Sequence, residues 1–210
     1  MTEVGYDIRP LEHRDIDALY AISLATGASG SDASSLYQDR SLMGAIYSAP
    51  YAVLSPATAF VVEDRQGVAG YVVGALDTVA FEARLEADWW PALRARHVAP
   101  SRATQGRWTA DERRIAQIHQ PRRTPAIVAL AFPSHVHVNL LPRIQRQGAG
   151  TALLQRWAEC MSLLGAVGVH AGVNAGNLGG LAFWEARGME RLSPIAESTV
   201  WLGAGIAQLR

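Results

Sequence analysis

The chain has 210 residues, 49% of them hydrophobic and 18% charged, with a formal net charge of zero. That is enough for one sizeable core and too apolar for a disordered chain. All 19 basic residues are arginine, which removes P-loop NTPases, pyridoxal-phosphate enzymes and lysine nucleophiles, since each needs a lysine.

The zero net charge argues against a dedicated nucleic-acid binder, whose affinity comes mainly from phosphate neutralisation. Cys160 is the lone cysteine, so an internal disulfide and a multi-cysteine zinc site are excluded. The longest apolar run, Ala126 to Phe132, falls far short of the ~20 residues of a membrane helix. Met1 to Asp17 carries charges and no apolar signal region. A reducing, cytoplasmic setting is expected, with neither membrane nor nucleic acid as partner.

In chain order, Tyr6 to Arg9 reads as a short strand stopped by Pro10. A helix follows, with Asp15 and Asp17 at its start and Ile16, Leu19, Tyr20, Ile22 and Leu24 along it, ending at Gly27. Gly27 to Ser35 reads as loop, and a second helix is expected around Leu36 to Tyr47. Ala59 to Glu63 and Val68 to Leu76 form a hairpin across the four residues Asp64-Arg65-Gln66-Gly67.

Residues 78–125 form a long helical insert, with nine of the 19 arginines and three of the six tryptophans. Pro91 starts a fresh turn there, and Thr109-Ala110-Asp111-Glu112 is a capping box for a helix over 110–119. Its two readings are a helical excursion with aromatics docked on the core, and a lid over a substrate pocket. His135 to Leu141 alternates as a strand up to Pro142. Gly148 to Leu164 is an amphipathic helix, Val167 to Val173 a strand, Leu178 to Arg187 a helix ended by Gly188, and Thr199 to Leu202 a last strand. The alternation gives an α/β (α+β) class for one domain over 1–210.

The chemistry gathers in 135–189. Between strand and helix stands Leu140-Leu141-Pro142-Arg143-Ile144-Gln145-Arg146-Gln147-Gly148-Ala149-Gly150-Thr151. A two-glycine turn at a helix N-terminus presents unpaired N–H groups to an anion. The dinucleotide fingerprint fails because Leu153 stands at its third glycine.

Gln145-x-x-Gly148-x-Gly150 resembles the Q/R-x-x-G-x-G/A motif of the GCN5-related N-acetyltransferase superfamily. Downstream, Asn174 and Asn177 and then Phe183-Trp184-Glu185-Ala186-Arg187-Gly188-Met189 resemble that family's asparagine and aromatic-pair motifs. A closer resemblance is to the acetyltransferase-like C-terminal domain of O-GlcNAcase and its free-standing bacterial relatives. Tyr47-x-Ala49-Pro50-Tyr51, Phe60-Val61-Val62-Glu63-Asp64, Asp77 with Phe81, and Phe132-Pro133-Ser134 carry it. Nothing resembles the sugar-cleaving domain of that enzyme.

The resemblance implies a mixed, mostly antiparallel twisted sheet of six to seven strands flanked by helices, the insert falling between the third strand and the strand before the motif. It also implies acetyl-CoA as cosubstrate, no metal, and an amine on a small molecule or peptide as acceptor; a homodimer is left open. The implied coenzyme contacts are Leu140, Leu141, Gln145, Arg146, Gln147, Gly148, Ala149, Gly150, Thr151, Asn177 and Trp184, with Arg143 as a second charged candidate. In the family, a tyrosine after the second motif often protonates the leaving thiolate. Here that pair is Phe183-Trp184, and an indole N–H is too weak an acid. Asp77 ranks first as general base and His137 second, since an imidazole suits proton removal near neutral pH. The alternative is a catalytically silent coenzyme A-binding module.

Overall fold

A computed structural model of the chain describes residues 5–192 and 198–209. Its core is a seven-stranded sheet in the order β1-β2-β3-β4-β5-β7-β6. The strands are β1 (Asp7–Pro10), β2 (Ala59–Asp64), β3 (Gly67–Ala75), β4 (Ser134–Leu140), β5 (Gly168–Asn174), β6 (Glu190–Arg191) and β7 (Thr199–Gly205). All neighbours are antiparallel except β4 and β5. The mixed, mostly antiparallel sheet with flanking helices is the one the sequence resemblance implies.

Nine helices surround it among the described residues: α1 (Ile16–Ala25), α2 (Leu42–Tyr47), α3 (Ala49–Leu54), α4 (Thr78–Arg84), α5 (Trp90–Arg96), α6 (Ala110–His119), α7 (Ala126–Ala131), α8 (Ala149–Leu163) and α9 (Leu178–Ala186). No described helix is long and apolar enough to cross a membrane.

Strand alternation sorts the apolar side chains into two layers. Phe60, Val62, Val72, Val136, Val169, Val173 and Leu202 face α8, whose stripe of Leu153, Leu154, Trp157 and Met161 is wholly buried against them. On the other face Val61, Tyr71, Val73 and Ala75 meet Leu19, Ile22, Tyr51, Leu54 and Phe81.

Several boundaries differ from the sequence reading. Pro10 is itself the last residue of β1, paired with Phe60, rather than the first residue beyond the strand. β1 is an edge strand, and because the Leu11 N–H bonds inward to Ala59, Pro10 directs its missing N–H outward, where nothing is lost. The β2–β3 connection is two residues rather than four. Asp64 pairs with Gly67, and Gly67 takes φ +100°, which a side chain would resist. The helix expected from Leu36 begins only at Leu42. Helices α3 and α7, six residues each, were not anticipated.

In the insert, α4 passes through a π-turn over Leu85–Trp89 into α5, with Pro91 in the first turn. The capping box at Thr109 and Glu112 forms as read, both bonds being made. Trp90, Leu93 and Ile118 pack with Leu24, Ala33, Tyr37, Leu42 and Ile46 in a third cluster that contains no strand residue. Arg114 reinforces it by donating to the hydroxyls of Tyr37 and Tyr47 at 3.0 and 2.9 Å.

Candidate active site

The sheet comes apart where β4 leaves β5. Only Ser134–Val169 and His135–His170 are paired between them, while β5 stays paired with β7 along its whole length. The Leu141 N–H bonds to Ala69 of β3. Alternation along an antiparallel pair then turns the amides and carbonyls of Val138 and Leu140 away from β3, into the gap. The Val167 carbonyl faces β7 by accepting from Ile206, so Gly172 and Asn174 present their backbone groups to the gap from the other side. A wedge lined by backbone without a strand partner is a slot for an extended chain carrying amides.

At the mouth of the wedge stands the N-terminus of α8. Gly148 caps it at φ +82° and Arg146 precedes it at φ +59°. Among the described residues, none of the backbone N–H groups from Arg146 to Thr151 bonds to another protein group. They end a helix of 15 residues, so donors and dipole combine as an anion cradle. Gly150 is needed for the close approach. A Cβ there would sit 3.1 Å from both Leu140 Cδ1 and Phe183 Cε2.

The expected coenzyme contacts divide. Ala149, Gly150 and Thr151 form the first turn of α8, and Gln147 donates from its side chain to the Arg143 carbonyl at 2.8 Å. Gln145 Nε2 donates to the Leu140 carbonyl at 2.8 Å, tying the motif loop to the wedge. Asn177 caps α9, its Oδ1 accepting from Gly180 at 2.9 Å, which leaves its Nδ2 for another acceptor. Leu141 is held to β3. Arg143 is committed to Asp64, Nε to Oδ2 at 2.8 Å, which holds that carboxyl below its usual range. Trp184 is only 5% exposed and packs in the α8-side core; Phe183 is the ring beside Gly150.

Sequence reasoning missed Arg187. From the end of α9 its guanidinium donates to Thr151 Oγ1 in the first turn of α8 and lies 5.6 Å over the Phe183 ring. Its buried Nε has no partner among the described residues.

The two catalytic candidates sit apart. Asp77 is exposed and caps α4, its Oδ1 accepting from Ala80 N–H at 2.9 Å. His137 lies on β4 two residues past the last β4–β5 pair, and neither of its ring nitrogens has a protein partner among the described residues. It belongs to a row of aromatic rings on the sheet face opposite α8. His135 is 5.9 Å from His137 and 5.9 Å from His170, and His170 is 5.6 Å from Trp201. Tyr51 stands edge-on to His135 and His137 at 5.6 and 5.7 Å. Burial lowers the pKa of all three imidazoles, that of His137 to about 4.

No family model matches the chain. Among solved structures, SsHAT is 30% identical over 96% of this chain and 98% of its own, with a TM-score of 0.87. The yncA protein of Salmonella typhimurium, solved with its cofactor acetyl-CoA, is 15% identical over 96% of this chain and 94% of its own, at a TM-score of 0.54. An N-acetyltransferase from Staphylococcus aureus Mu50 is 12% identical over 96% of this chain and 98% of its own, also at 0.54. With the split between β4 and β5, the glycine cradle at α8 and a 30% identical relative spanning nearly the whole of both chains, the protein belongs to the GCN5-related N-acetyltransferase superfamily.

Proposed function

We propose that the protein transfers the acetyl group of acetyl-CoA to an amine of a small molecule or peptide. The observation that carries the reading is the continuity of two surfaces. The free N–H groups of Arg146 to Thr151 suit a pyrophosphate, and the wedge that opens beside them offers Val138 and Leu140 to the amides of a pantetheine arm. Asn177 Nδ2, which the cap of α9 leaves free, would donate to the same arm. The thioester then lies beyond the last β4–β5 pair, next to His137. There an incoming amine meets neutral imidazoles and aromatic rings in place of bulk water. Family membership and the presence of acetyl-CoA in the yncA structure support the choice of coenzyme.

A second reading, a silent coenzyme A-binding module, is favoured by one observation. The ring pair Phe183-Trp184 provides no phenol, and Trp184 is buried in the core. One experiment separates the two. Millimolar acetyl-CoA should raise the melting temperature, since a ligand at 100 times its dissociation constant adds about 2.7 kcal/mol. Thiol release in the presence of amines then distinguishes transfer from binding alone. Absence of any melting shift contradicts both.

A further inference from the structure

Hydrogen-bond accounting separates the three neighbouring imidazoles. Thr78 Oγ1 donates its single proton to the Pro133 carbonyl at 2.7 Å, so it can only accept from His135 Nδ1 at 2.8 Å. His135 Nε2 then accepts from the Tyr51 hydroxyl at 2.8 Å. Both nitrogens of His135 are spent.

His137 has the opposite condition, with nothing to set its tautomer. His170 has one ring nitrogen bonded and the other without a protein partner among the described residues. Its Nδ1 is 2.7 Å from the Phe132 carbonyl, which can only accept, so Nδ1 carries the proton and Nε2 holds a free lone pair. Nε2 has no protein partner among the described residues. The two nitrogens of an imidazole point to nearly opposite sides of the ring. His170 belongs to the last β4–β5 pair, so the wedge opens directly beyond it, and its side chain is 1% exposed. There Gly172 supplies no side chain and the Trp201 ring, 5.6 Å from the imidazole, covers the space. An imidazole fixed by a carbonyl on one nitrogen and without a protein partner on the other is the arrangement of an oriented base.

We propose that His170 is the proton shuttle of acetyl transfer. The inference rests on the acetyl-CoA reading above. The amine nitrogen attacks the thioester carbonyl carbon, and a C–N bond forms as the C–S bond breaks. The proton lost by the nitrogen goes to His170 Nε2. The imidazolium returns it to the departing coenzyme A thiolate, giving the N-acetyl amine, the free thiol and a neutral His170. One residue thus serves as base and then as acid, and no tyrosine is needed at Trp184. Burial lowers the His170 pKa, which keeps the lone pair available at neutral pH and makes the imidazolium a ready proton donor.

The test uses His170→Asn, whose Nδ2–H stands in for Nδ1–H and can keep the bond to Phe132. Acetyl-CoA should still raise the melting temperature of this variant as it does for wild type. Thiol release with tyramine, benzylamine and a lysine-containing peptide should fall ~10²-fold or more, with acetyl-CoA half-saturation unchanged. Independently of any acceptor, 15N NMR of labelled histidine should find His170 protonated at Nδ1 only, with an Nε2 resonance that moves when acetyl-CoA binds. A proton on Nε2, an unmoved resonance in the acetyl-CoA complex, or wild-type turnover by the variant overturns the shuttle while leaving the coenzyme reading intact. Failure of the wild-type protein to bind acetyl-CoA overturns the reading on which it rests.

Discussion

Arg187 at the end of α9 donates to Thr151 Oγ1 in the first turn of α8, bringing a full positive charge to a helix terminus that already carries the positive end of its dipole. Two like fields held together without an anion are costly, and the Arg187 Nε, without a partner among the described residues, adds to that cost. Replacing Arg187 by Leu should therefore weaken acetyl-CoA binding by tenfold or more, about 1.4 kcal/mol, as expected for loss of a charge-assisted contact. Calorimetric titration measures it. The stability of the free protein should stay level or rise. An unchanged dissociation constant would remove Arg187 from the coenzyme site.

Asp77 can be separated into its two roles by choice of substitution. Asparagine caps helices as well as aspartate does, so Asp77→Asn should melt with wild type, whereas Asp77→Ala should lose about 1 kcal/mol through the cap of α4. With His170 as the shuttle, Asp77→Asn should also keep wild-type thiol release. A ~10²-fold loss in that variant would instead make the carboxylate the base.

The imidazole row predicts the acid limb of stability. His135, His137 and His170 titrate lower in the folded protein than in the unfolded chain, His137 at about 4. Below the unfolded value of about 6.5 the unfolded state therefore binds more protons, and stability falls as the pH drops from 6.5 toward 4. The hydrogen-bonded carboxylates Asp15 and Asp64, also shifted down, withdraw their contribution only below the usual carboxylate range. Melting temperatures between pH 7.5 and 4.5 should show the decline, and His137→Gln, which cannot titrate, should flatten it. A level profile over that interval would contradict the burial of these rings.

The motif turn was legible because its requirements are local. Glycines at 148 and 150, a strand before and an apolar stripe after suffice to place an anion cradle. Partners distant in sequence were not legible. His170 reads as one residue of a Val-His-Ala strand, and only the fold brings it to a carbonyl 38 positions away. Arg187 sits inside a motif whose aromatic pair draws the eye, yet its role depends on α8. Trp184 shows how packing sets the direction of a motif side chain. A helix position that matches a family motif still turns its side chain where packing dictates, and here that is inward. Helices α3 and α7 escaped notice because six apolar-rich residues carry too little periodicity to separate helix from strand.

Two residue pairs are a thin seam between a four-stranded leaf, β1 to β4, and a three-stranded leaf of β5, β7 and β6. Side chains of both leaves share one apolar core with the stripe of α8. Mechanically the sheet is two plates on a common hinge pin, and the amides of Val138 and Gly172 lie at the crack. They should exchange with solvent deuterium faster than their neighbours in the same strands, and a ligand bridging them would act as a missing eighth strand, joining the plates into one cooperative unit.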